Sequence, residues 1–422
     1  MKTKLLISVL LLLTVGAAAQ TSRKEMLKDP NRTGSAYFAY PGPVQKAPTP
    51  APAGYKPFYI SHYGRHGSRY MISNRYYDKA IGKLDTAAMY GLLTSKGAEV
   101  LEKLRAGYAD AWNRDGDLTA LGGRQHMEIA RRMYERFPEL LSQPIEVDAR
   151  SSTVGRCMIS MFYFCQELEG LNPDLVVRMD ASTRDMRFVV DDRSVRPQAA
   201  PAMDGYQSRV GKIREKGYNP ARLMKTLFKD VRKASGFVDG PELMECLYHV
   251  AQDMQNVPEL EISLMDIFTG DELFNIWKGF NAGWLVNSGL VPGSTPSYLR
   301  KKEVRDSIQS IADRVIREGR PALSLRFSHD SSVLPLTYLM GLKEAMGATP
   351  DIENLYKKIS VDKLIPMAAN IQLVFYRKDG SDDILVKFLL NENETSIPVR
   401  TDVAPYYHWE DVKAFWATHA TQ

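Results

Sequence analysis

Five short stretches of the chain have the hydrophobic pattern of strands. Residues 58–60 form an apolar run, and residues 144–149 and 323–327 alternate between apolar and polar positions, as half-buried strands do. The last two lead directly into segments with apolar residues at helical spacing, which begin with serine and threonine residues of the kind that cap helices. Residues 371–376 and 384–390 have strand composition and are separated by a turn. The pattern predicts an α/β fold with a central, mostly parallel sheet flanked by helices.

Residues 205–320 interrupt this pattern because their apolar residues recur predominantly at helical spacing. A chain of about 400 residues also exceeds what one hydrophobic core usually serves, so a second lobe is expected. We therefore predict an α/β domain formed by residues 58–200 and 321–422. A smaller helical cap domain, residues 201–320, is predicted to be inserted between its two parts.

The N-terminus has the pattern of a secretory signal peptide over residues 1–19. Lys2 and Lys4 precede an apolar run at residues 5–15, and an Ala-x-Ala cleavage site ends the segment. A membrane anchor is the alternative, but this run is too short to span a bilayer as a helix. We therefore expect an exported protein, periplasmic or extracellular, with no membrane contact after signal removal. Residues 20–57 include a proline-rich stretch and predict an extended lead-in to the fold.

Charge, cysteines and histidine spacing narrow the function classes. The net charge of +5 is too small to argue for a nucleic-acid-binding protein, and no nucleic-acid-binding motif is present.

Cys157 and Cys165 lie about 12 Å apart along one predicted helix, too far to form a disulfide with each other. Either can pair with Cys246, or all three can be buried free thiols. His62 precedes His66 by four residues, but no third ligand accompanies the pair, so we interpret His62 as structural and expect no metal or other cofactor.

The residues that follow three of the predicted strands supply chemistry for phosphate. In open α/β sheets, ligands bind beyond the carboxyl ends of the strands, where helix N-termini also present free N–H groups to anions. The side chains expected to meet there are Arg65, His66, Arg69, Arg150, His329 and Asp330. A nucleophile, several guanidinium groups and a carboxylic acid are what transfer of a phosphoryl group to nitrogen and then to water requires.

His66 and Asp330 are the predicted catalytic residues. A neutral His66 imidazole can attack phosphorus and form a phosphohistidine, and an ordinary histidine pKa of about 6.5 leaves that form accessible in mildly acidic water. Asp330 is expected to protonate the leaving alkoxide and then to act as base toward the attacking water. Because Asp330 must be protonated when substrate binds, an acidic optimum is expected.

Arginines and a second histidine are predicted to bind the transferred phosphate. Guanidinium forks match phosphate oxygens and keep their charge at any relevant pH, which assigns this role to Arg65, Arg69 and Arg150. Arg156 is the alternative to Arg150 for this role. We favour Arg150 because it stands at the end of a predicted strand. His329 is expected to donate a further hydrogen bond to the phosphate.

These motifs resemble the histidine acid phosphatases, a branch of the phosphoglycerate-mutase-like superfamily that includes acid phosphatases, phytases and multiple inositol polyphosphate phosphatases. The family carries R-H-G-x-R-x-P, and residues 65–71 are Arg-His-Gly-Ser-Arg-Tyr-Met, with Met71 in place of the proline. It carries a later His-Asp or His-Ala-Glu, the latter typical of the inositol-polyphosphate branch, and residues 329–330 are His-Asp. The similarity covers most of residues 58–400. The resemblance implies a phosphoglycerate-mutase-like fold and a secreted phosphomonoesterase.

The resemblance also carries most of the argument about substrate, and it favours inositol polyphosphates such as phytate. Between residues 212 and 233, eight basic residues outnumber two acidic ones. If this face overhangs the site it would suit a substrate with several phosphates, although a solvated helix face has the same composition. Broad-range phosphomonoesters or sugar phosphates are the alternative substrates. A phosphoryl mutase and a non-catalytic phosphate-binding protein are the alternative functions.

Overall fold

A mixed sheet forms the centre of the computed structural model, which describes residues 22–419. Its strands are β1 (Tyr55–Arg65), β2 (Glu146–Ser151), β3 (Val176–Asp180), β4 (Ala322–Ser328), β5 (Asn370–Lys378), β6 (Ile384–Leu390), β7 (Asn393–Thr395) and β8 (Tyr406–His408). They lie in the order β3-β2-β4-β1-β5-β6-β7, and β8 pairs with β6. Strands β1 to β4 are mutually parallel, whereas β5 to β8 join antiparallel. The predicted α/β class with a mostly parallel central sheet is confirmed.

Helices connect and cover these strands. Residues 22–28 are helical, and the α-helices that follow them are α1 (Arg75–Met89), α2 (Ser95–Ala111), α3 (Ala120–Arg136), α4 (Pro138–Leu141), α5 (Gly155–Leu171), α6 (Met186–Val189), α7 (Met203–Gly217), α8 (Ala221–Leu227), α9 (Val231–Ala234), α10 (Gly240–Met254), α11 (Gly270–Asn287), α12 (Lys302–Glu318), α13 (Asp330–Leu339), α14 (Val361–Leu364) and α15 (Trp409–His419). Side-chain caps fix several starts, because a capping oxygen satisfies an N–H group that has no partner inside the helix. Thr119 caps α3 in this way, and Thr269 forms a capping box with Glu272 at α11.

The sheet is buried on both faces, which explains the composition of its central strand. Tyr59 and Tyr63 of β1 pack with α12, α13 and α15 on one face, whereas Ile60 packs with α3 and α5 on the other. A strand covered on both sides favours a near-continuous apolar run over strict alternation. The strand is longer than the three apolar residues that predict it, because its flanking polar residues also pair with β4 and β5.

The hydrophobic contacts do not divide at the predicted cap boundaries, residues 201 and 320. One core combines α1 and α2, which belong to the predicted α/β domain, with α8, α10 and the first half of α11. Helix α12, predicted in the cap, instead packs Val304, Ile308 and Ala312 against the sheet. Helical periodicity identifies the apolar face of each helix, but it does not specify which layer covers that face.

The segment predicted as an extended lead-in contributes to the packed fold. Residues Pro30–Tyr37 form a 3₁₀ helix, and Thr33 and Ala36 within it are buried. Tyr40 is also buried, and its hydroxyl donates to the carboxylate of Glu392 over 2.7 Å. The described part of this segment, residues 22–57, is therefore in part a packed structural element, and the Ala36 carbonyl accepts a hydrogen bond from Arg65.

Two further predictions concern the termini and the thiols. The predicted signal peptide, residues 1–19, lies outside the described residues. Between residues 22 and 419 no helix is both long enough and apolar enough to cross a bilayer. Cys157, Cys165 and Cys246 are buried free thiols, so the alternative of a disulfide to Cys246 is not found.

Candidate active site

The parallel pairing of β1 with β4 brings two histidines together beyond the carboxyl ends of these strands. Arg65 lies opposite Ser328 in the register, so the next residues, His66 and His329, are neighbours. The backbone N–H of His66 donates to the Ser328 carbonyl over 2.9 Å, and the two imidazole rings are 5.7 Å apart between centroids. The position beyond the sheet edge is where the sequence pattern predicted the site.

Two glycines allow the loop after His66 to pass against helix α3. A Cβ atom on Gly67 would lie 2.3 Å from the Gly122 carbonyl oxygen, and one on Gly122 would lie 2.2 Å from the Ser68 carbonyl oxygen. Side chains other than hydrogen therefore cannot be accommodated at this crossing. The Ser68 N–H donates to Gln125 over 2.8 Å, which fixes the loop against α3.

His66 is held as a neutral imidazole with one ring nitrogen free. Its Nδ1 lies 2.9 Å from the Gly67 carbonyl oxygen. Because a carbonyl only accepts, Nδ1 carries the proton and Nε2 keeps its lone pair. Burial lowers the pKa of His66 well below 6.5, and the charges of Arg65, Arg69 and Arg156 lower it further. The imidazole is consequently neutral even in acidic solution.

Arg65 and Asp330 form a buried ion pair at the start of α13. The Arg65 guanidinium is fully buried and lies 2.7 Å from the Asp330 carboxylate, and it also donates to the Ile365 carbonyl over 2.8 Å. Burial by itself would raise the pKa of Asp330, but the charges of Arg65 and Arg69, together with the Ser331 N–H, hold it below its usual value. Asp330 is therefore ionised in the empty site except at low pH.

Arg69 is held from two sides. Its guanidinium lies over the ring of Tyr37, 4.7 Å from the centroid, and donates to the Tyr70 carbonyl over 2.8 Å. The next residue, Met71, donates its N–H to the Asp253 carboxylate over 3.0 Å. Proline has no N–H, so the departure from the family motif at Met71 provides a hydrogen bond that the family residue cannot make. Burial raises the pKa of Asp253 to about 7, although the Arg69 charge opposes that shift.

Arg150, predicted to bind the phosphate, does not lie with the other predicted site residues. Its guanidinium is bound by three carboxylates, with N–O distances of 2.9 Å to Asp148, 2.8 Å to Asp180 and 3.0 Å to Asp185. Successive strand residues point to opposite faces, so Arg150 shares the face of Asp148, while Ala149 and Ser151 are buried on the other. A place at a strand end does not decide which face a side chain takes.

Arg156, the competing candidate, supplies the third arginine. It stands in the first turn of α5 and makes no ion pair with any residue in the described part of the chain. Its charge lowers the pKa of both His66 and His329. The site therefore brings together Arg65, Arg69 and Arg156.

His329 lies beside His66. Its Nε2 is 3.0 Å from the Ser152 hydroxyl, and the Cys157 thiol packs against the same ring. Burial lowers the pKa of His329, with a further contribution from the Arg156 charge, while Asp330 opposes the shift. In the empty site His329 is a neutral hydrogen-bonding group.

A cavity of about 550 Å³ adjoins the cluster of His66, His329 and the three arginines. Tyr37, whose ring lies against Arg69, and Ser331, which follows Asp330, both line it. Its charged lining residues are Arg214, Arg300, Lys301 and Asp191, so basic groups outnumber the one carboxylate, which lies 3.6 Å from Lys301. The cavity therefore continues the positive charge of the site into a space large enough for a small molecule.

Several polar atoms at this cavity have no hydrogen-bond partner among residues 22–419. They are the hydroxyl of Ser35 and the Nε atoms of Arg214 and Arg300. Arg300 lies 3.2 Å from Asp191, while Arg214 has no acidic partner in the described part of the chain. Buried polar atoms are costly when unpaired, so these groups favour a polar, anionic ligand.

Tyr37, Asp253, Arg300 and Lys301 were missed in the sequence analysis. Of these, the adjacent pair Arg300-Lys301 gave a weak signal as basic residues next to a predicted helix. Among the eight basic residues between 212 and 233, Arg214 lines the cavity. No local motif marks Tyr37 or Asp253, because their positions depend on tertiary packing.

Comparison with known proteins gives a consistent picture. No family model matches the chain. The chain is 25% identical over 405 residues to "Multiple inositol polyphosphate phosphatase 1" of Gallus gallus, covering 86% of this chain and 85% of the relative. The Bifidobacterium longum multiple inositol polyphosphate phosphatase complex with phosphate shares the fold, with a TM-score of 0.68, 19% identity, and coverage of 92% of this chain and 98% of that one.

Two other structures share the fold as well. One is the same B. longum phosphatase in complex with inositol hexasulfate, with a TM-score of 0.65, 19% identity and the same coverage. The other is the phytase from D. castellii, with a TM-score of 0.66, 15% identity, and coverage of 92% of this chain and 85% of that one. The resemblance to the histidine acid phosphatases is thereby confirmed.

Proposed function

The chain is a phosphomonoesterase that resembles the histidine acid phosphatases, and we propose that it hydrolyses inositol polyphosphates through a phosphohistidine intermediate. The observation that carries the proposal is a neutral His66 with a free Nε2, surrounded by three guanidinium groups and opening onto a basic cavity. The names of the relatives support the substrate class, because one is a phosphatase for inositol polyphosphates and a related structure holds inositol hexasulfate.

The proposed reaction has two displacement steps at phosphorus. Nε2 of His66 attacks, the ester P–O bond breaks, and Asp330 gives its proton to the leaving oxygen. Water then attacks the phosphohistidine, Asp330 takes a proton from it, and the P–N bond breaks to give inorganic phosphate and neutral His66. The charges of Arg69 and Arg156 offset the negative charge on the phosphoryl oxygens in both steps.

Asp330 links the two steps because its ionisation responds to the substrate. In the empty site Arg65 and Arg69 hold its pKa low. A bound phosphate dianion offsets those positive charges, which raises the pKa of Asp330 and supplies the protonated acid that the first step needs. The paired Arg65 therefore stabilises the ionised form that Asp330 takes after giving up its proton.

The cavity next to the site is proposed to bind the phosphates that do not react. Arg214, Arg300 and Lys301 are placed to contact a polyanion whose reacting phosphate lies at His66. A simple monoester has no second phosphate for these residues. We likewise propose that the chain is exported, on the signal-peptide pattern of residues 1–19.

Phosphate release from phytate and from p-nitrophenyl phosphate, with a chelator present and between about pH 3 and 8, tests this function. Wild-type protein is expected to hydrolyse phytate. Arg214→Gln is expected to raise KM for phytate about tenfold, because a charged hydrogen bond is lost, while leaving p-nitrophenyl phosphate nearly unaffected. Lys212→Ala, an exposed basic change on the same helix, is the matched control.

The outcomes separate the alternatives. Activity on p-nitrophenyl phosphate alone would point to broad-range or sugar-phosphate substrates. Equal effects of Arg214→Gln on both substrates would contradict the role given to the cavity. Silence on both substrates from a folded protein would favour a non-catalytic phosphate-binding protein.

The contrast between Arg156 and Arg150 gives a separate prediction. Arg156→Ala is expected to lower kcat/KM at least about 100-fold on both substrates, as loss of a transition-state donor does. Arg150→Ala is expected to keep kcat/KM within about threefold of wild type. Its ion pairs with Asp148 and Asp180 are partly exposed, so they contribute little, and they lie outside the site. Steady-state kinetics of the two variants side by side decide the matter, and the reverse order would restore Arg150 to the site.

A further inference from the structure

A second cavity, of about 620 Å³, lies away from the site. It is lined by residues of β2, β4 and α12 and by the segment 184–189 that contains α6. No lining residue is shared with the cavity beside His66. Nothing in the proposed reaction uses this space.

The cavity carries an excess of positive charge. Its basic lining residues are Arg150, Arg184, Arg187, Arg314 and Arg326, and its acidic lining residues are Asp148 and Asp185. Arg150 and Arg184 are both ion-paired with aspartates. In the part of the chain that the structure describes, the other three arginines have no acidic partner. Five arginines against two aspartates leave this space with a net positive charge, and three of the guanidinium groups in it make no ion pair within the described residues, which favours an anion there.

Arg326 makes the strongest case because it is buried within the sheet. It is 3% exposed, and its Nη2 lies 3.2 Å from the Ser307 hydroxyl. Its Nη1 is also buried and has no hydrogen-bond partner among residues 22–419. An unpaired buried guanidinium nitrogen is costly unless a ligand or ion satisfies it.

We propose that this cavity is a second anion-binding site that takes a phosphate group. Guanidinium forks match the oxygens of a tetrahedral oxyanion, and Arg187 and Arg314 are placed to add contacts to those of Arg326. Phe188 and Ile311 give the same cavity an apolar wall. The phosphate can come from free inorganic phosphate or from an inositol polyphosphate, whose carbon ring this wall would contact.

Calorimetric titration of the full chain with inorganic phosphate, and separately with inositol hexasulfate, tests the site. Two variants remove it in different ways: Arg326→Met deletes the buried cation, and the double change Arg187→Ala with Arg314→Ala deletes exposed cations at the rim. Arg317→Ala, an exposed change on α12 outside this cavity, is the matched control.

The Kd of one binding event is expected to rise at least about tenfold in the Arg326 variant and in the rim variant. Arg317→Ala is expected to leave that Kd unchanged. The rim variant is expected to keep its kcat/KM for p-nitrophenyl phosphate, which separates this site from His66. An event seen with phosphate identifies the free ion as ligand, and one seen only with the hexasulfate identifies the inositol polyanion. Binding that is unchanged in the rim variant overturns the proposal, even if Arg326→Met fails to fold.

Discussion

His66→Ala is expected to abolish phosphate release, by about 10⁵-fold or more, because removing the nucleophile of a covalent mechanism removes the whole pathway. The structure makes the expectation specific to one atom. Nδ1 is bonded to the Gly67 carbonyl, so Nε2 is the nitrogen that we expect to bond to phosphorus. The measurement is turnover of phytate and p-nitrophenyl phosphate, with thermal unfolding to show that the fold is retained.

Two further measurements separate a nucleophile from a structural residue. Free imidazole added to the His66→Ala protein is expected to restore part of the turnover, since the vacated space lies among the arginines proposed to bind the phosphate. Wild-type protein quenched in alkali during turnover is expected to carry phosphate on His66, because phosphohistidine survives in base. Activity of His66→Ala within a hundredfold of wild type, without imidazole, would contradict the mechanism.

The sequence predicted the position of the site because strand ends are marked locally. His66 and His329 each follow a stretch with a clear hydrophobic pattern, and parallel strands place their carboxyl ends at one edge. The structure places Arg150 apart from His66 because the face of the sheet that a strand residue takes changes with each residue along the strand. The pattern of residues 144–149 did not settle which of the alternating side chains faces His66. Arg156, six residues later, reaches the site from the first turn of a helix instead.

Other parts of the fold could not be predicted for a different reason. Tyr37 contacts Arg69 from a segment whose surroundings are rich in proline, and composition describes local conformation but not burial. Asp253 and Met71 are far apart in sequence, and their hydrogen bond exists only once α10 packs beside the site. The packing of α12 against the sheet could not be predicted for the same reason, because the partner of an amphipathic helix is set by the tertiary fold.

Asp330→Asn is the second substitution with a large expected effect. Without a proton donor, kcat/KM for phytate, which reports the first displacement, is expected to fall about 10³-fold. For p-nitrophenyl phosphate, whose leaving group hardly needs a proton, kcat/KM is expected to fall less than about tenfold, although kcat falls for both substrates because the second step loses its base. The pH dependence has a defined sign. Since Arg65 and Arg69 hold the pKa of Asp330 low in the empty site, kcat/KM for phytate is expected to fall as pH rises from the acidic range. Protonation of His66 is not expected to lower the rate in this pH range, because burial and the neighbouring arginines hold the pKa of His66 well below that of an ordinary histidine.

Asp253→Asn is the matched control for this test, since Asp253 is also a buried carboxylate beside Arg69. Asparagine can still accept the Met71 N–H, and Asp253 has no place in proton transfer to the leaving group. We therefore expect any loss in Asp253→Asn to be equal on the two substrates. A displaced Arg69 would weaken binding of both substrates alike. The acid is therefore identified by the ratio of the loss on phytate to the loss on p-nitrophenyl phosphate, and not by the size of either loss. Equal losses for Asp330→Asn on phytate and on p-nitrophenyl phosphate would show that Asp330 holds Arg65 in place and that another group donates the proton.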